Sequence, residues 1–117
     1  MALKFTTEMG SIQVTDDVLL MIAGYSALEC YGIVAMASKR ASDGWVELLG
    51  RENLSRGVRI RAKGEDHVDV DLYIIVEYGV SIAAVANTII ETVRYKIENL
   101  AGIRVGQVNI FIESIRV

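Results

Sequence analysis

Strict alternation of charged and apolar residues in two neighbouring segments is the feature that most constrains the fold. Residues 58–63 read Val-Arg-Ile-Arg-Ala-Lys, and residues 67–72 read His-Val-Asp-Val-Asp-Leu. A period of two is typical of strands with one buried and one exposed face. Only three residues, Gly-Glu-Asp at 64–66, separate the two segments. We therefore predict an antiparallel hairpin with a three-residue loop.

The hydrophobic pattern also predicts the register of this hairpin. A slip of one residue would move every apolar side chain to the solvent face, so burial decides the pairing. The register that keeps the apolar residues on one face places Arg61 opposite Asp69 and Arg59 opposite Asp71. Opposite charges are then cross-strand neighbours, which is mildly favourable. After Leu72 the alternation ends in the apolar run 73–76, so this half of the strand is predicted to be central and covered on both faces.

The first predicted helix is unusual because it has no charged residue in its middle. It follows the short alternating run Gly10–Val14, begins at the hydroxyl cap Thr15 and is expected to end near Tyr31 and Gly32. The segment Val18–Leu28 carries no charge. A helix that is apolar nearly all round must be covered on more than one side, either by the domain or by a partner subunit.

Self-association through this helix is one way to cover it. We predict a two-fold dimer whose interface includes Leu20, Tyr25 and Leu28, because one sheet covers only one side of a helix. The alternative is that Trp45–Leu49 folds over the helix and permits a monomer. The pattern of this five-residue segment fits either a strand or one helical turn.

The second predicted helix begins at the cap Ser81 and ends at Gly102. Its polar face includes Asn87, Glu91, Arg94 and Glu98, and its apolar residues recur at helical spacing over about five turns, at Ile82, Val85, Ala86, Ile89, Val93, Ile97 and Leu100.

Shorter segments complete the secondary structure. A strand is predicted at Ile33–Ala37 and a long strand at Ile103–Val117, with a break or bulge near Gly106. Polar, turn-rich composition predicts loops at Ser38–Gly44 and Gly50–Gly57.

These elements follow the order β-α-β-(β)-β-β-α-β. The length of 117 residues suits one domain spanning the whole chain. We predict an α/β (α+β) fold in which two helices pack on one mainly antiparallel sheet.

Residues suited to catalysis or metal binding are scarce. His67 is the only histidine and Cys30 the only cysteine, whereas a catalytic base needs an activating partner and a metal site usually needs three or four ligands. The sequence contains neither a P-loop nor a Gly-x-Gly-x-x-Gly motif, the two glycine-rich patterns that bind phosphate groups. We therefore predict no catalytic, metal or cofactor-binding residue, and no cofactor.

Charge and hydropathy bear on the partners of the chain. The net charge of −3 argues against nucleic acid as a partner. The apolar stretches are far shorter than the roughly 20 residues that cross a bilayer, and residues 1–10 do not resemble a signal sequence. We expect a cytoplasmic protein without direct membrane insertion.

One segment has a positive net charge although the chain as a whole is negatively charged. Residues 39–63 contain seven basic and three acidic residues. One interpretation is a contact surface for an acidic partner, with Arg51, Glu52, Asn53 and Arg56 as candidate binding residues. The other is that the basic strand residues are neutralised by the facing strand and that the rest is a solvated loop.

Four segments together carry a family resemblance. They are Val-Ala-Met-Ala-Ser-Lys-Arg at 34–40, Glu-Leu-Leu-Gly-Arg-Glu-Asn-Leu-Ser-Arg-Gly-Val at 47–58, Asp-Leu-Tyr-Ile-Ile-Val-Glu-Tyr-Gly-Val at 71–80, and Gly-Gln-Val-Asn-Ile-Phe-Ile at 106–112. With the Gly-x-Ile-x-Val run before the first helix, they resemble the alkaline shock protein family of Gram-positive bacteria, also called the envelope stress response or general stress protein family. The segments 47–58 and 71–80 are similar to a short branch of the family, often encoded beside a dihydroxyacetone-kinase-like fatty-acid kinase.

The resemblance implies a non-enzymatic cytosolic protein and supplies no catalytic residue. Some relatives are held at the membrane by a separate anchor protein and self-assemble. The function expected from it is a scaffold or adaptor that works through protein–protein contacts in cell-envelope homeostasis, as a homo-oligomer. The alternative is a regulatory partner of the neighbouring lipid or acyl-phosphate kinase.

Overall fold

The computed structural model describes residues 2–39, 46–49, 57–64 and 66–117. Within these residues it shows two helices and seven strands, which confirms the predicted α+β class. In chain order the elements are β1 (Ala2–Thr7), β2 (Gly10–Thr15), α1 (Asp16–Leu28), β3 (Ile33–Lys39), β4 (Val46–Leu49), β5 (Val58–Lys63), β6 (His67–Glu77), α2 (Ile82–Ala101) and β7 (Arg104–Arg116).

Strand β6 organises the main sheet of five strands. Strand β7 pairs with β6 in parallel along its whole length. The other edge of β6 is shared, because β5 pairs antiparallel with its first half and β3 with its last residues. Strand β4 extends the sheet from β3. Every residue from Val68 to Val76 is buried, which confirms that the half of the strand at 73–76 is central and covered on both faces. The half at 68–72 was predicted to have one exposed face and is buried as well.

The predicted hairpin register is confirmed, since Arg61 pairs with Asp69 and Arg59 with Asp71. The ion pairs, however, run diagonally: a guanidinium nitrogen of Arg61 lies 3.0 Å from Oδ1 of Asp71, and Nζ of Lys63 lies 3.8 Å from Oδ2 of Asp69. Both aspartates are only 7% exposed. They are buried because β6 is flanked on its second edge by β7, a neighbour that hairpin pairing alone does not predict.

The strand predicted at Gly10–Val14 is confirmed, but its partner was not predicted. Strand β2 pairs with β1 from Ala2 opposite Thr15 to Thr7 opposite Gly10, in a two-stranded sheet separate from the main one. The predicted single sheet therefore omitted this hairpin.

Helix α1 begins after Thr15 as predicted, although the Thr15 side chain makes no capping hydrogen bond. It ends at Leu28 rather than near Gly32. Gly32 instead forms the turn into β3 with φ +95°, and a Cβ there would lie 2.7 Å from a methyl carbon of Val85. The glycine is needed for this turn and for the close approach of α2.

Helix α2 agrees closely with its prediction. The Ser81 side chain accepts a hydrogen bond from the Ala84 N–H at 3.3 Å, and Gly102 forms the left-handed cap with φ +71°. Two residues predicted on the buried side, Ile82 and Leu100, are exposed. Both residues lie in the terminal turns of α2. The apolar spacing continues into these turns, but the core does not extend far enough to bury them.

The segment between α1 and the hairpin is only partly as predicted. The strand expected at 33–37 extends to Lys39, so Ser38 and Lys39 belong to β3 and not to a loop. Of the two alternatives for residues 46–49, a strand or one helical turn, the structure shows the strand, which pairs with β3. Trp45 and the loop residues 50–56 lie outside the described residues.

Strand β7 confirms the irregularity predicted near Gly106. Val68 pairs with Val105 and Val70 with Val108, so the β7 strand has one extra residue between these pairs. This is a β-bulge at Gly106 and Gln107.

The main core lies between the sheet and the two helices, which pack against each other. Its largest fully buried side chains include Leu19 of α1, Leu72 of β6 and Ile89 of α2. Tyr73 and Ile75 form a second, small cluster on the other face of β6. The Tyr73 ring stacks on Phe111 of β7 with 4.9 Å between ring centroids.

Candidate protein-interaction surface

The other elements of the domain bury much of helix α1, whose middle carries no charge. Leu19, Ala23 and Ala27 are fully buried. Of the three predicted interface residues, Leu20 and Leu28 are half-buried and pack against the main core. Tyr25 is 39% exposed. The structure thus separates the predicted set into two residues that pack inward and one that faces solvent.

Tyr25 belongs to an exposed apolar stripe on α1. Val18, Met21 and Tyr25 follow one another at spacings of three and four residues, so they lie on the same face of the helix. Each has between about one third and one half of its surface exposed. The sequence did not single out Val18 and Met21, because an uncharged helix shows no polar side to contrast with them.

A cleft of about 260 Å³ lies beside this stripe, between α1 and α2. The α2 wall includes Leu100, which is 69% exposed. We call this feature the α1–α2 cleft; it is lined by Met21, Ile22, Tyr25, Ser26, Glu29, Lys96 and Leu100. Its volume is below the usual range of roughly 300–1,000 Å³ for small-molecule pockets, and fits one or two side chains of a protein partner.

Two opposite charges line the cleft without pairing. Within the described part of the chain, neither Glu29 of α1 nor Lys96 of α2 lies within ion-pair distance of an opposite charge. The Ser26 hydroxyl donates to the carbonyl oxygen of Ile22. The lining of the cleft therefore combines apolar side chains with one carboxylate and one ammonium group that make no ion pair among the described residues.

Cys30 has a structural environment. It is buried after the end of α1, and its Sγ lies 3.5 Å from the carbonyl oxygen of Ser26. A small buried thiol packed in this way behaves as a hydrophobic residue.

His67 and Asp66 form an exposed pair at the hairpin loop, with 2.8 Å between Nδ1 and Oδ1. The hydrogen bond with His67, aided by the positive charges of His67 and Arg104, lowers the pKa of Asp66. Stability from this pair is thus present above the ordinary pKa of an aspartate and is lost as the pH falls through the lowered value.

No group of three His, Cys, Asp or Glu side chains suited to a metal occurs among the residues that the structure describes.

Buried polar contacts join β6 to β7. Oδ1 of Asp69 accepts the backbone N–H of Gln107 at 2.9 Å. Oδ1 of Asp71 accepts hydrogen bonds from Arg61 at 3.0 Å and from the Asn109 side chain at 2.9 Å. These aspartates therefore hold the sheet together and are not available as ligands.

Two residues of the predicted polar face of α2 bind the start of β7. Arg94 donates to the carbonyl oxygens of Val105 at 2.8 Å and Gly106 at 3.1 Å. Glu98 accepts the N–H of Val105 at 3.1 Å. Helical periodicity placed both residues correctly on the polar side, but gave no sign of their strand partner.

The candidate binding residues Arg51, Glu52, Asn53 and Arg56 lie outside the described residues. The neighbouring basic residues of β5 support the neutralisation interpretation for that strand, because Arg61 and Lys63 both contact aspartates of β6.

Across the described residues, neither length nor hydropathy qualifies any helix as a membrane span.

Comparison with known proteins agrees with the resemblance seen in the sequence. The chain is 42% identical to the uncharacterized protein YloU of Bacillus subtilis, over 100% of this chain and 98% of that protein. It is 36% identical to the uncharacterized protein Spy1614 of Streptococcus pyogenes, over 100% and 97% of the two chains. Identity to the uncharacterized protein YqhY of Bacillus subtilis is 32%, over 94% and 80%. No solved structure matches the chain.

The family profile that matches covers residues 4–117, nearly the whole chain. Its description is a cell envelope-related function. The chain therefore belongs to the alkaline shock protein 23 family.

Proposed function

We propose that this protein is a non-enzymatic scaffold or adaptor that acts through protein–protein contacts in cell-envelope homeostasis. The observation that carries the proposal is the α1–α2 cleft, whose lining combines Met21, Tyr25 and Leu100 with two opposite charges. Neither charge forms an ion pair within the residues that the structure describes. The cell envelope-related function of the family supports the cellular setting.

The composition of the cleft favours a protein as its occupant. Methionine and tyrosine are enriched in protein interfaces, where they supply adaptable or rigid apolar contact area. Glu29 and Lys96 add a pair of charges that a partner with complementary charges would satisfy. A partner side chain in the cleft would act as an anchor, with the exposed stripe of α1 as surrounding contact area.

The leading partner is a membrane anchor protein, which would bring a cytoplasmic protein to the membrane. The alternative is a dihydroxyacetone-kinase-like fatty-acid kinase, with this protein as its regulatory partner. The resemblance of segments 47–58 and 71–80 to the branch encoded beside such kinases supports that alternative.

Co-purification from the native host tests both. Wild-type protein and the variant Tyr25→Glu are used as bait, with Tyr78→Glu as the matched control, because Tyr78 is 74% exposed and does not line the cleft. We expect an anchor protein as the main partner of the wild type and of Tyr78→Glu, and its loss with Tyr25→Glu. The kinase as main partner would support the alternative, and equal capture by all three baits would contradict the assignment to the cleft.

A second copy of this chain is the competing occupant of the same surface. The homo-oligomer predicted through α1 remains a prediction, and light scattering on wild type and Tyr25→Glu tests it. A dimer mass that falls to the monomer mass in Tyr25→Glu would assign the surface to self-association instead of an external partner.

A further inference from the structure

A carboxylate borders the exposed stripe of α1 at each end. Asp17, Met21, Tyr25 and Glu29 follow one another at intervals of four residues, so they form one row along the surface of the helix. Glu29 directly follows the last helical residue and keeps helical backbone angles, φ −73° and ψ −16°. All four residues are exposed. We call them the α1 row; its two carboxylates lie about 18 Å apart along the helix axis.

The charge of the α1 row has one sign. Residues 16–29 contain no basic residue, and within the described part of the chain neither Asp17 nor Glu29 forms an ion pair. The positive charge that lines the cleft is Lys96, on the α2 wall. A complementary partner therefore carries positive charge at both ends of its apolar contact with α1, and negative charge only opposite α2.

Helices α1 and α2 run antiparallel, which gives the cleft the shape of a groove between two helices. A Cβ on Gly32, just after α1, would lie 2.7 Å from a methyl carbon of Val85, near the start of α2. Met21, in the first half of α1, lines the cleft together with Leu100, near the end of α2. The side-chain ridges of a third helix fit such a groove. An extended segment is disfavoured, because the side chains of two helices offer its backbone N–H and C=O groups no regular partners.

We propose that the α1–α2 cleft binds a basic amphipathic helix of the partner protein. This inference rests on the proposed function, to which it adds the class of partner segment. The apolar residues of that segment recur at spacings of three or four and pack on Met21, Tyr25 and Leu100. Lysine or arginine residues about three turns apart flank them and face Asp17 and Glu29. An acidic residue opposite Lys96 fixes the orientation of the bound helix.

Other occupants bring like charges to the α1 row. A pair of α1 helices does so in either direction: antiparallel helices place Asp17 near the second copy's Glu29, and parallel helices place each acid near its own counterpart. Anionic lipid headgroups are repelled by the same carboxylates. A basic helix meets no such repulsion, so the charges of the row select it over both alternatives.

Peptide display tests the class of segment. The library contains overlapping peptides of about 24 residues, long enough for six helical turns, that tile the proteins of the native host. The bait is the full-length protein, with Tyr25→Glu for counter-selection. We expect the enriched peptides to share apolar residues at helical spacing flanked by lysine or arginine, and to become helical by circular dichroism on binding. Enriched peptides with a period of two or with acidic flanks would overturn the proposal, as would an absence of peptides that prefer wild type to Tyr25→Glu.

Neutralising the carboxylates measures their share of the binding. Fluorescence anisotropy of the most enriched peptide gives its Kd for wild type, Asp17→Asn and Glu29→Gln. Each variant should raise the Kd about three-fold and reduce its dependence on salt. Glu91→Gln is the matched control and should bind as wild type does, since Glu91 is an exposed acid of α2 that does not line the cleft. An unchanged Kd in both Asp17→Asn and Glu29→Gln would overturn the basic character of the helix.

Failure of this inference is distinguishable from failure of the proposed function. If Tyr25→Glu loses the external partner on co-purification but the library yields no helical peptide, the cleft binds its partner through another kind of segment, and only the helix is overturned. If basic helical peptides are enriched but no partner is captured from the host, the helix is supported and the proposed cellular role is contradicted.

Discussion

A Cβ atom on Gly106 would lie 2.6 Å from Oδ1 of Asp69, the same oxygen that accepts the N–H of Gln107 at 2.9 Å. The bulge of β7 therefore closes around the carboxylate of its neighbouring strand. Glycine is required here because of this close approach. The buried aspartate is satisfied by a backbone donor that only the bulge supplies.

Gly106→Ala should accordingly lower the free energy of unfolding by about 1–3 kcal/mol, because the methyl group displaces the carboxylate from the Gln107 N–H. Chemical denaturation measures the loss. In the Asp69→Ala background the same substitution meets no carboxylate, so its cost should be clearly smaller. Additive effects of Gly106→Ala and Asp69→Ala would contradict this account.

The diagonal pairing of Arg61 with Asp71 separates two arginines of β5 that look equivalent in the sequence. Arg61→Gln removes a hydrogen bond from a buried carboxylate and should cost about 1 kcal/mol or more. Arg59→Gln, at the exposed position directly opposite Asp71, should change stability by less than about 0.5 kcal/mol. Thermal unfolding of both variants at low salt tests which arginine contributes more to stability. A larger loss of stability with Arg59→Gln than with Arg61→Gln would contradict this account.

Arg94 should contribute more to stability than its place on the polar face of α2 suggests. Arg94→Ala leaves the carbonyl groups of Val105 and Gly106 without their donor, and we expect a loss of about 1–2 kcal/mol. Glu91→Ala, an exposed position on the same helix, is the matched control and should lie within about 0.5 kcal/mol of wild type. Equal effects would mean that the strand contact contributes nothing.

The three predicted interface residues of α1 should respond differently to truncation. Leu20→Ala and Leu28→Ala remove side chains packed against the core, and each should lower the free energy of unfolding by about 1–3 kcal/mol. Tyr25→Ala should change folding stability much less, but weaken capture of the partner bound at the α1–α2 cleft. Urea denaturation and co-purification with the same variants separate the two effects; a destabilised Tyr25→Ala with unchanged capture would contradict the division.

Reversal of the basic loop charges tests the second candidate surface. If residues 50–57 contact an acidic partner, the double variant Arg51→Glu with Arg56→Glu should abolish capture of that partner, while circular dichroism shows an unchanged fold. Arg116→Glu, which changes charge in the same direction but lies outside this loop at an exposed position, is the control. Undiminished capture by the double variant would remove the loop from the binding surface.

Local pattern in the sequence was enough for the elements whose structure depends on near neighbours. The period of two at 58–72 determined the β5–β6 register, since any other register exposes the apolar side chains. Ser81 and Gly102 marked the ends of α2 because capping is a local interaction. Gly106 marked the bulge for the same reason, as an isolated glycine in a strand pattern.

Contacts between distant segments were decided only by the tertiary structure. The parallel pairing of β7 with β6 joins residues about forty positions apart, and it buries Asp69 and Asp71, which alternation alone places on an exposed face. The division of α1 into inward-facing Leu20 and outward-facing Tyr25 depends on how the other elements pack around α1, because an uncharged helix has no polar stripe to orient it. Periodicity reports whether a face is apolar, whereas the partner that covers the face is set by the packing of the whole chain.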